Sequence, residues 1–323
     1  MTDASLAFVF PGQGSQSIGM LTAAYALSDD VRHTFAEASE ALGYDVRGLI
    51  AEGDQAALDL TATTQPVLLT CSVALWRAWL SQGGAEPAVL AGHSLGEFSA
   101  LTCAGSLAFA DALRLVRERG RFMQSAVPVG DGSMAAVLGL DDADIRRICD
   151  ETSASSGEVV SAVNYNAPGQ VVIAGHAGAV TAAIRALKSA GAKRCIPLAV
   201  SAPFHTSLMQ PAGEKLAEVL AETPIRAPEI PVIHNVHAKP EKNTATIRDL
   251  LVSQISSPVM WTDCVRSLVA AGATRLAECG PGSVLCKLNK RIDKSISSFP
   301  MERPEDLQKL LGISQTQGEG RHE

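Results

Sequence analysis

The residues with the clearest chemical potential form the pentapeptide Gly92-His93-Ser94-Leu95-Gly96, a G-x-S-x-G string between a short apolar run at 88–91 and a helix-like run over 97–103. A serine at a sharp strand-to-helix turn has strained backbone geometry, and glycines two residues to either side make room for it. Its hydroxyl then projects at the carboxyl end of a sheet, where open α/β sheets bind ligands. The helix that follows aims its first N–H groups at the same point, which suits a developing oxyanion. The competing reading is a tight turn that merely contains serine. The flanking strand and helix favour a nucleophile.

A serine nucleophile needs a base, and there are seven histidines to choose from. His33 sits in a polar helix and His322 near the C-terminus, so both read as solvated. His176 ends a strand, the backbone of His93 is committed to the turn, and His234 and His237 flank an apolar strand as structural histidines do. His205, in Ser201-Ala202-Pro203-Phe204-His205, falls where two regions of different rhythm meet, and clefts form at such boundaries. Spacing alone leaves the choice of base open.

A second oddity is Arg119. At about 100° per residue, Arg114, Arg117, Glu118 and Arg121 share one face of a helix over 108–126. Arg119 falls instead among Ala108, Ala112, Leu115, Val116, Phe122 and Met123. A cation on an apolar face is costly unless an anion meets it. The partner is either an internal Asp or Glu, or a ligand carboxylate gripped by the guanidinium fork. Periodicity does not choose between them.

Elements of an α/β protein must position these groups. With 323 residues, 46% of them hydrophobic, the chain has material for about two domains and a large core. The formal charge of −7 and an aromatic content of 4% argue against nucleic-acid binding. No apolar run reaches the roughly 20 residues of a membrane span, and the N-terminus lacks a basic signal-peptide region. The seven cysteines form no CxxC pair, which fits reduced thiols in the cytoplasm better than disulfides or zinc. Gly12 and Gly14 are followed by Ser17 where a dinucleotide fingerprint needs a third glycine, and no P-loop lysine follows.

Apolar strands at 6–10, 88–91, 231–235 and 274–278 alternate with helices over about 17–27, 30–42, 65–80, 108–126, 207–222, 245–255 and 261–272, the pattern of a parallel sheet covered on both faces. Between 128 and 204 the order becomes βαββαβ, with strands at 134–138, 159–164, 170–174 and 195–200, which reads as a ferredoxin-like unit. The expected organisation is a discontinuous large domain over 1–127 and 205–312, an insert over 128–204, and a polar tail over 313–323.

Taken in order, Pro11-Gly-Gln-Gly-Ser-Gln16, Gly92-His-Ser-Leu-Gly-Glu97, Arg119-Gly120 with Met123, Asn166-Ala-Pro-Gly-Gln170, Ser201-Ala-Pro-Phe-His205, Gln254 in Leu251-Val-Ser-Gln-Ile-Ser-Ser-Pro258, and Gly280-Pro-Gly282 resemble the malonyl-CoA:acyl-carrier-protein transacylases of bacterial fatty-acid synthesis. The resemblance spans about 5–311. It implies an α/β-hydrolase-like large domain carrying the ferredoxin-like insert. It also implies Ser94 as nucleophile, His205 as base, the backbone carbonyl of Gln254 as the group orienting the imidazole, and the N–H groups of Gln13 and Leu95 as the oxyanion hole. Arg119 would hold the malonyl carboxylate. Phe204, expected to crowd the acyl α-carbon, and Asn166 complete the implied substrate contacts. The implied partners are a coenzyme A thioester and acyl carrier protein. No cofactor or metal is implied, and the enzyme is expected to be a cytoplasmic monomer.

Departures from the family are Phe98 where Tyr is common, Ser283 where Lys is frequent, and His237 where Asp is common, none of them expected to touch the chemistry. Candidate carrier-docking patches are Lys287, Lys290, Arg291 and Lys294, or Lys188, Lys193 and Arg194, although solvated charged faces read equally well. The rival readings are a serine esterase or thioesterase, which would need an acid between Ser94 and His205 in chain order, and an acyltransferase of polyketide or malonate-decarboxylase systems.

Overall fold

The computed structural model describes residues 2–200 and 202–319, with side chains as far as 312. Ser201 and His322, singled out above, lie outside the described residues.

The large domain is built on a parallel sheet of β1 (Thr2–Phe10), β2 (Glu86–Gly92), β7 (Val232–Ile233), β8 (Arg275–Glu278) and β9 (Ser297–Pro300), in the order β7-β2-β1-β8-β9. β1 lies at the centre, with Phe10 opposite Gly92 on one side and Leu6 opposite Arg275 on the other. Leu6 to Phe10 are fully buried because both faces are covered. Leu6, Phe8 and Phe10 point into one core, with the helices Asp29–Leu42, Thr61–Ser81 and Phe109–Ser125. Ala7 and Val9 point into the other, with Trp261–Ala270 and Val284–Ile292. A continuous apolar strand thus serves two cores by simple alternation.

The small domain has β3 (Gly132–Leu138), β4 (Val160–Ala167), β5 (Gln170–His176) and β6 (Arg194–Pro197) in the antiparallel order β4-β5-β3-β6, with helices Asp142–Ser156 and Ala177–Ser189. This is the ferredoxin-like arrangement, and all four strands fall within 128–204. Ala135, Val137, Val171 and Ile173 face its own helices, whereas Met134, Val172 and Ala174 face the large domain's core. The insert therefore docks through one face of its sheet. A parallel bridge between Asn164 and Val259, with Tyr165 N–H donating to the Val259 carbonyl at 3.0 Å, ties β4 to the large domain.

Several boundaries differ from the sequence reading. The helix expected over 65–80 begins earlier, at Thr61, and carries Pro66 inside it, in its second turn. β6 and β7 are shorter than expected, and β9, a four-residue edge strand, carried no periodic signal. The final helix, Pro304–Glu319, runs on through much of the segment expected to be a polar tail. No described helix is long and apolar enough to cross a membrane.

Both elbow glycines are required by close approach. A Cβ on Gly92 would lie 1.9 Å from the Gly96 carbonyl carbon, and one on Gly96 would lie 2.0 Å from the Phe10 oxygen. Gly92→Ala is expected to cost at least about 3 kcal/mol, since only backbone can yield. A loss under about 1 kcal/mol in denaturant titration would contradict this packing.

Candidate active site

Ser94 caps the helix Leu95–Cys103 with φ 52° and ψ −107°, values that L-residues rarely adopt. Hydrogen bonds hold the strained residue on both sides. Its N–H donates to Asn235 Oδ1 at 2.7 Å, its carbonyl accepts from Gln254 Nε2 at 3.1 Å, and Asn235 Nδ2 donates to the Gly92 carbonyl at 2.6 Å.

His205 also has a positive φ, 64°, and is buried. Its Nε2 lies 2.8 Å from Ser94 Oγ and its Nδ1 2.8 Å from the backbone oxygen of Gln254. A carbonyl only accepts, so Nδ1 carries the proton and Nε2 offers its lone pair to the hydroxyl. Burial, reinforced by the nearby Arg119 charge and partly opposed by the Gln254 hydrogen bond, pushes the imidazole pKa down to about 3. The ring is therefore neutral and able to accept a proton at ordinary pH.

Arg119 is 1% exposed, on the helix Phe109–Ser125. Its neighbours Arg114, Arg117 and Arg121 pair at the surface with Asp111 and Glu118. Its own Nη1 donates to Gln65 Oε1 at 2.8 Å, and its Nη2 donates to Gln254 Oε1 at 2.9 Å and to Ser94 Oγ at 3.2 Å. No carboxylate touches it, and Nε has no partner among the described residues. Burial lowers its pKa to about 10 against the opposing charge of Glu97, so it stays cationic at neutral pH. A fixed cation beside a serine hydroxyl, with donors to spare, can receive an anion.

Neither the Leu95 nor the Gln13 N–H donates to another group among the described residues, and both residues line the cleft with Ser94. The glycine turn that carries Gln13 lies against the elbow: a Cβ on Gly12 would be 2.5 Å from the His93 carbonyl oxygen. The cleft is completed by Gln65, Met123, Met134, Asn164, Leu198, Val200 and Phe204 and lies between the two domains. Phe204, next to His205 in the chain, is one of these lining residues.

Two expectations need correction. Asn166 is absent from the cleft lining; its Oδ1 lies 2.8 Å from Nε2 of His93, a residue that does line it, and its neighbour Asn164 lines the cleft in its place. The pleat of β4 turns residues two apart toward one face, but the register shifts that bracket this stretch break that rule. Phe98, expected to be remote from the chemistry, lies with its ring 5.2 Å below the Arg119 guanidinium.

The sequence reading missed Gln65, Asn235 and Glu97. Gln65 and Asn235 carry no local signal, because their roles exist only once distant segments meet. Glu97 stands on the motif's edge, and a buried acid in a helix's first turn was a usable clue.

Comparison with known proteins bears on the same arrangement. The acyl transferase domain family matches residues 7–309. A malonyl CoA-acyl carrier protein transacylase from Salmonella typhimurium is 54% identical over 305 residues, covering 94% of this chain and 98% of the relative. The crystal structure of malonyl-CoA:acyl carrier protein transacylase from Xanthomonas oryzae pv. oryzae superposes with a TM-score of 0.95 at 49% identity, covering 97% of this chain and 99% of that one. A malonyl-transacylase in complex with its type II PKS acyl-carrier protein matches with a TM-score of 0.94 at 48% identity, over 96% of this chain and 99% of that one. Full-length correspondence in both sequence and fold is shared descent: this chain belongs to the acyl transferase domain family and is an acyltransferase.

Proposed function

We propose that the enzyme moves a malonyl group from coenzyme A to the phosphopantetheine thiol of acyl carrier protein through a malonyl ester on Ser94, supplying fatty-acid synthesis. The observation that carries the reading is one hydroxyl shared between a neutral base and a cation: Ser94 Oγ lies 2.8 Å from His205 Nε2 and 3.2 Å from Arg119 Nη2. A three-carbon diacid bonded at Oγ has its free carboxylate within reach of the guanidinium.

In the first half-reaction His205 takes the Ser94 proton as Oγ attacks the thioester carbonyl. The oxyanion is received by the Leu95 and Gln13 N–H groups, each such donor being worth about 3–4 kcal/mol in the transition state. The C–S bond breaks and His205 returns the proton to the departing thiolate. In the second half, the carrier thiol gives its proton to His205 and attacks the ester, and Ser94 leaves with that proton. A backbone carbonyl at His205 Nδ1, in place of an acid, separates this arrangement from an esterase triad. All of these groups come from one chain, so a monomer suffices.

Intact mass after incubation with malonyl-CoA should rise by one malonyl group, mapped to Ser94, and the adduct should vanish on adding carrier protein. A Ser94→Ala protein that still acquires the adduct ends the reading.

Docking of an acidic carrier falls to local basic patches, since the chain itself is acidic. Lys287, Lys290, Arg291 and Lys294 are exposed along and just beyond one helix, and Arg291 bonds Gln170 across the domain boundary. Reversing Lys290 and Arg291 to Glu should raise the carrier-protein KM about tenfold, with the KM for malonyl-CoA little changed. An unchanged carrier KM discards this patch.

A further inference from the structure

We propose that Glu97 is a positioning residue for acyl selectivity: it sets the orientation of the Gln254 side-chain amide and, through it, the direction of the Arg119 guanidinium. The proposal rests on the reading of Arg119 as the group that holds the malonyl carboxylate.

Glu97 lies in the first turn of the elbow helix and is fully buried. A buried carboxylate persists only when donors satisfy it. Its Oε1 accepts from His234 Nδ1 at 2.8 Å, and its Oε2 accepts from the Asn235 N–H and from Gln254 Nε2, each at 2.8 Å. Every contact is a donor, so the group acts only as an acceptor.

The two ends of a glutamine amide are nearly alike in shape, and their surroundings decide which way they point. At Gln254, Nε2 faces three oxygens: Glu97 Oε2 at 2.8 Å, the Ser94 carbonyl at 3.1 Å and Asn235 Oδ1 at 3.4 Å. Oε1 faces Arg119 Nη2 at 2.9 Å. Flipping the amide would set NH₂ against a guanidinium and oxygen against a carboxylate, which is unfavourable at both ends.

Glu97 therefore presents Arg119 with a neutral acceptor, matched by Gln65 Oε1 on the other amino group. The negative charge supports the buried cation from one residue away. A direct ion pair would occupy the guanidinium and compete with a substrate carboxylate. The relay leaves it directed and free. Gln254 thus works through both its parts, the backbone carbonyl holding His205 and the side chain holding Arg119.

The test compares kcat/KM for malonyl-CoA and acetyl-CoA in the whole enzyme. Glu97→Gln puts an NH₂ among three donors. Malonyl transfer should fall about tenfold or more beyond any fall in acetyl transfer, because acetyl makes no use of the guanidinium. Gln254→Leu keeps the backbone carbonyl and should lose the same selectivity. In the double variant the two losses should not multiply, since one acts through the other. Equal falls for both acyl groups, or multiplying losses, overturn the proposal. If Glu97→Gln does not fold, Gln254→Leu decides alone: retained selectivity overturns it. A wild-type protein that forms no malonyl adduct on Ser94 defeats the parent reading, whereas a normal adduct with unchanged selectivity in the variants defeats only this one.

Discussion

Replacing His205 by alanine is expected to lower kcat about 10⁴–10⁶-fold, for malonyl and acetyl donors alike, because the same proton transfer serves both half-reactions. Binding should change little, since the ring contacts Ser94 Oγ and the Gln254 carbonyl. Single-turnover labelling of Ser94 separates the chemical step from binding. A variant that retains a tenth of the wild-type rate would assign the base elsewhere. The same residue governs the pH profile. Its folded pKa, pushed down to about 3, lies well below its ordinary value of 6.5. The base is then fully unprotonated at neutrality, and kcat/KM should pass through pH 6.5 without inflection. The Arg119 charge is the second cause of the lowering, after burial. Removing it with Arg119→Ala should bring the acid limb up toward neutrality. A malonyl carboxylate on Arg119 should act in the same direction in the bound complex, placing the limb of kcat above that of kcat/KM. Stability follows with a definite sign. Between pH 6.5 and about 3 the unfolded chain binds a proton at this histidine that the fold does not, so stability falls as pH falls through that window. A wild-type kcat/KM inflection near 6.5 would show that the imidazole is not desolvated.

Arg119→Ala is expected to lower malonyl transfer about 10³-fold while acetyl transfer holds or rises. The asymmetry comes from the guanidinium's condition before substrate arrives. It is buried, cationic, held by Gln65 and Gln254, and its Nε has no partner among the described residues. A carboxylate completes it, whereas an acetyl group leaves it uncompensated, so selectivity includes a penalty on the neutral donor. Arg119→Lys should not rescue, because an ammonium cannot span Gln65 and Gln254 while also presenting a fork to the ligand. Equal losses for both donors would make Arg119 a structural residue.

Much of this was legible in the residues. Strand, turn and helix signals around Ser94 are local, and they place a strained serine correctly because glycine spacing and helix N-terminal N–H groups are properties of adjacent residues. The ferredoxin-like order of 128–204 was legible because each element is short and strongly patterned. Arg119 stood out because helix periodicity marks a misplaced charge from sequence alone. Periodicity left its partner undecided between an internal acid and a ligand; in the structure the internal acid nearest in effect, Glu97, bonds Gln254, which accepts from Arg119, and does not itself touch the cation.

What tertiary structure alone decided is which distant residues share one cleft. The Ser94–His205 hydrogen bond joins residues 111 positions apart and the Arg119–Gln254 bond joins residues 135 apart, separations at which no local pattern reports a contact. Asn166 was misplaced because register shifts in β4 reassign which side chain faces the cleft, and Phe98 was undervalued because only helix packing brings its ring beneath Arg119. Sequence determines which chemical groups are present and the local turns that strain them. Packing of helices and loops around the large sheet determines which groups meet, because burial and hydrogen-bond satisfaction are summed over the whole fold.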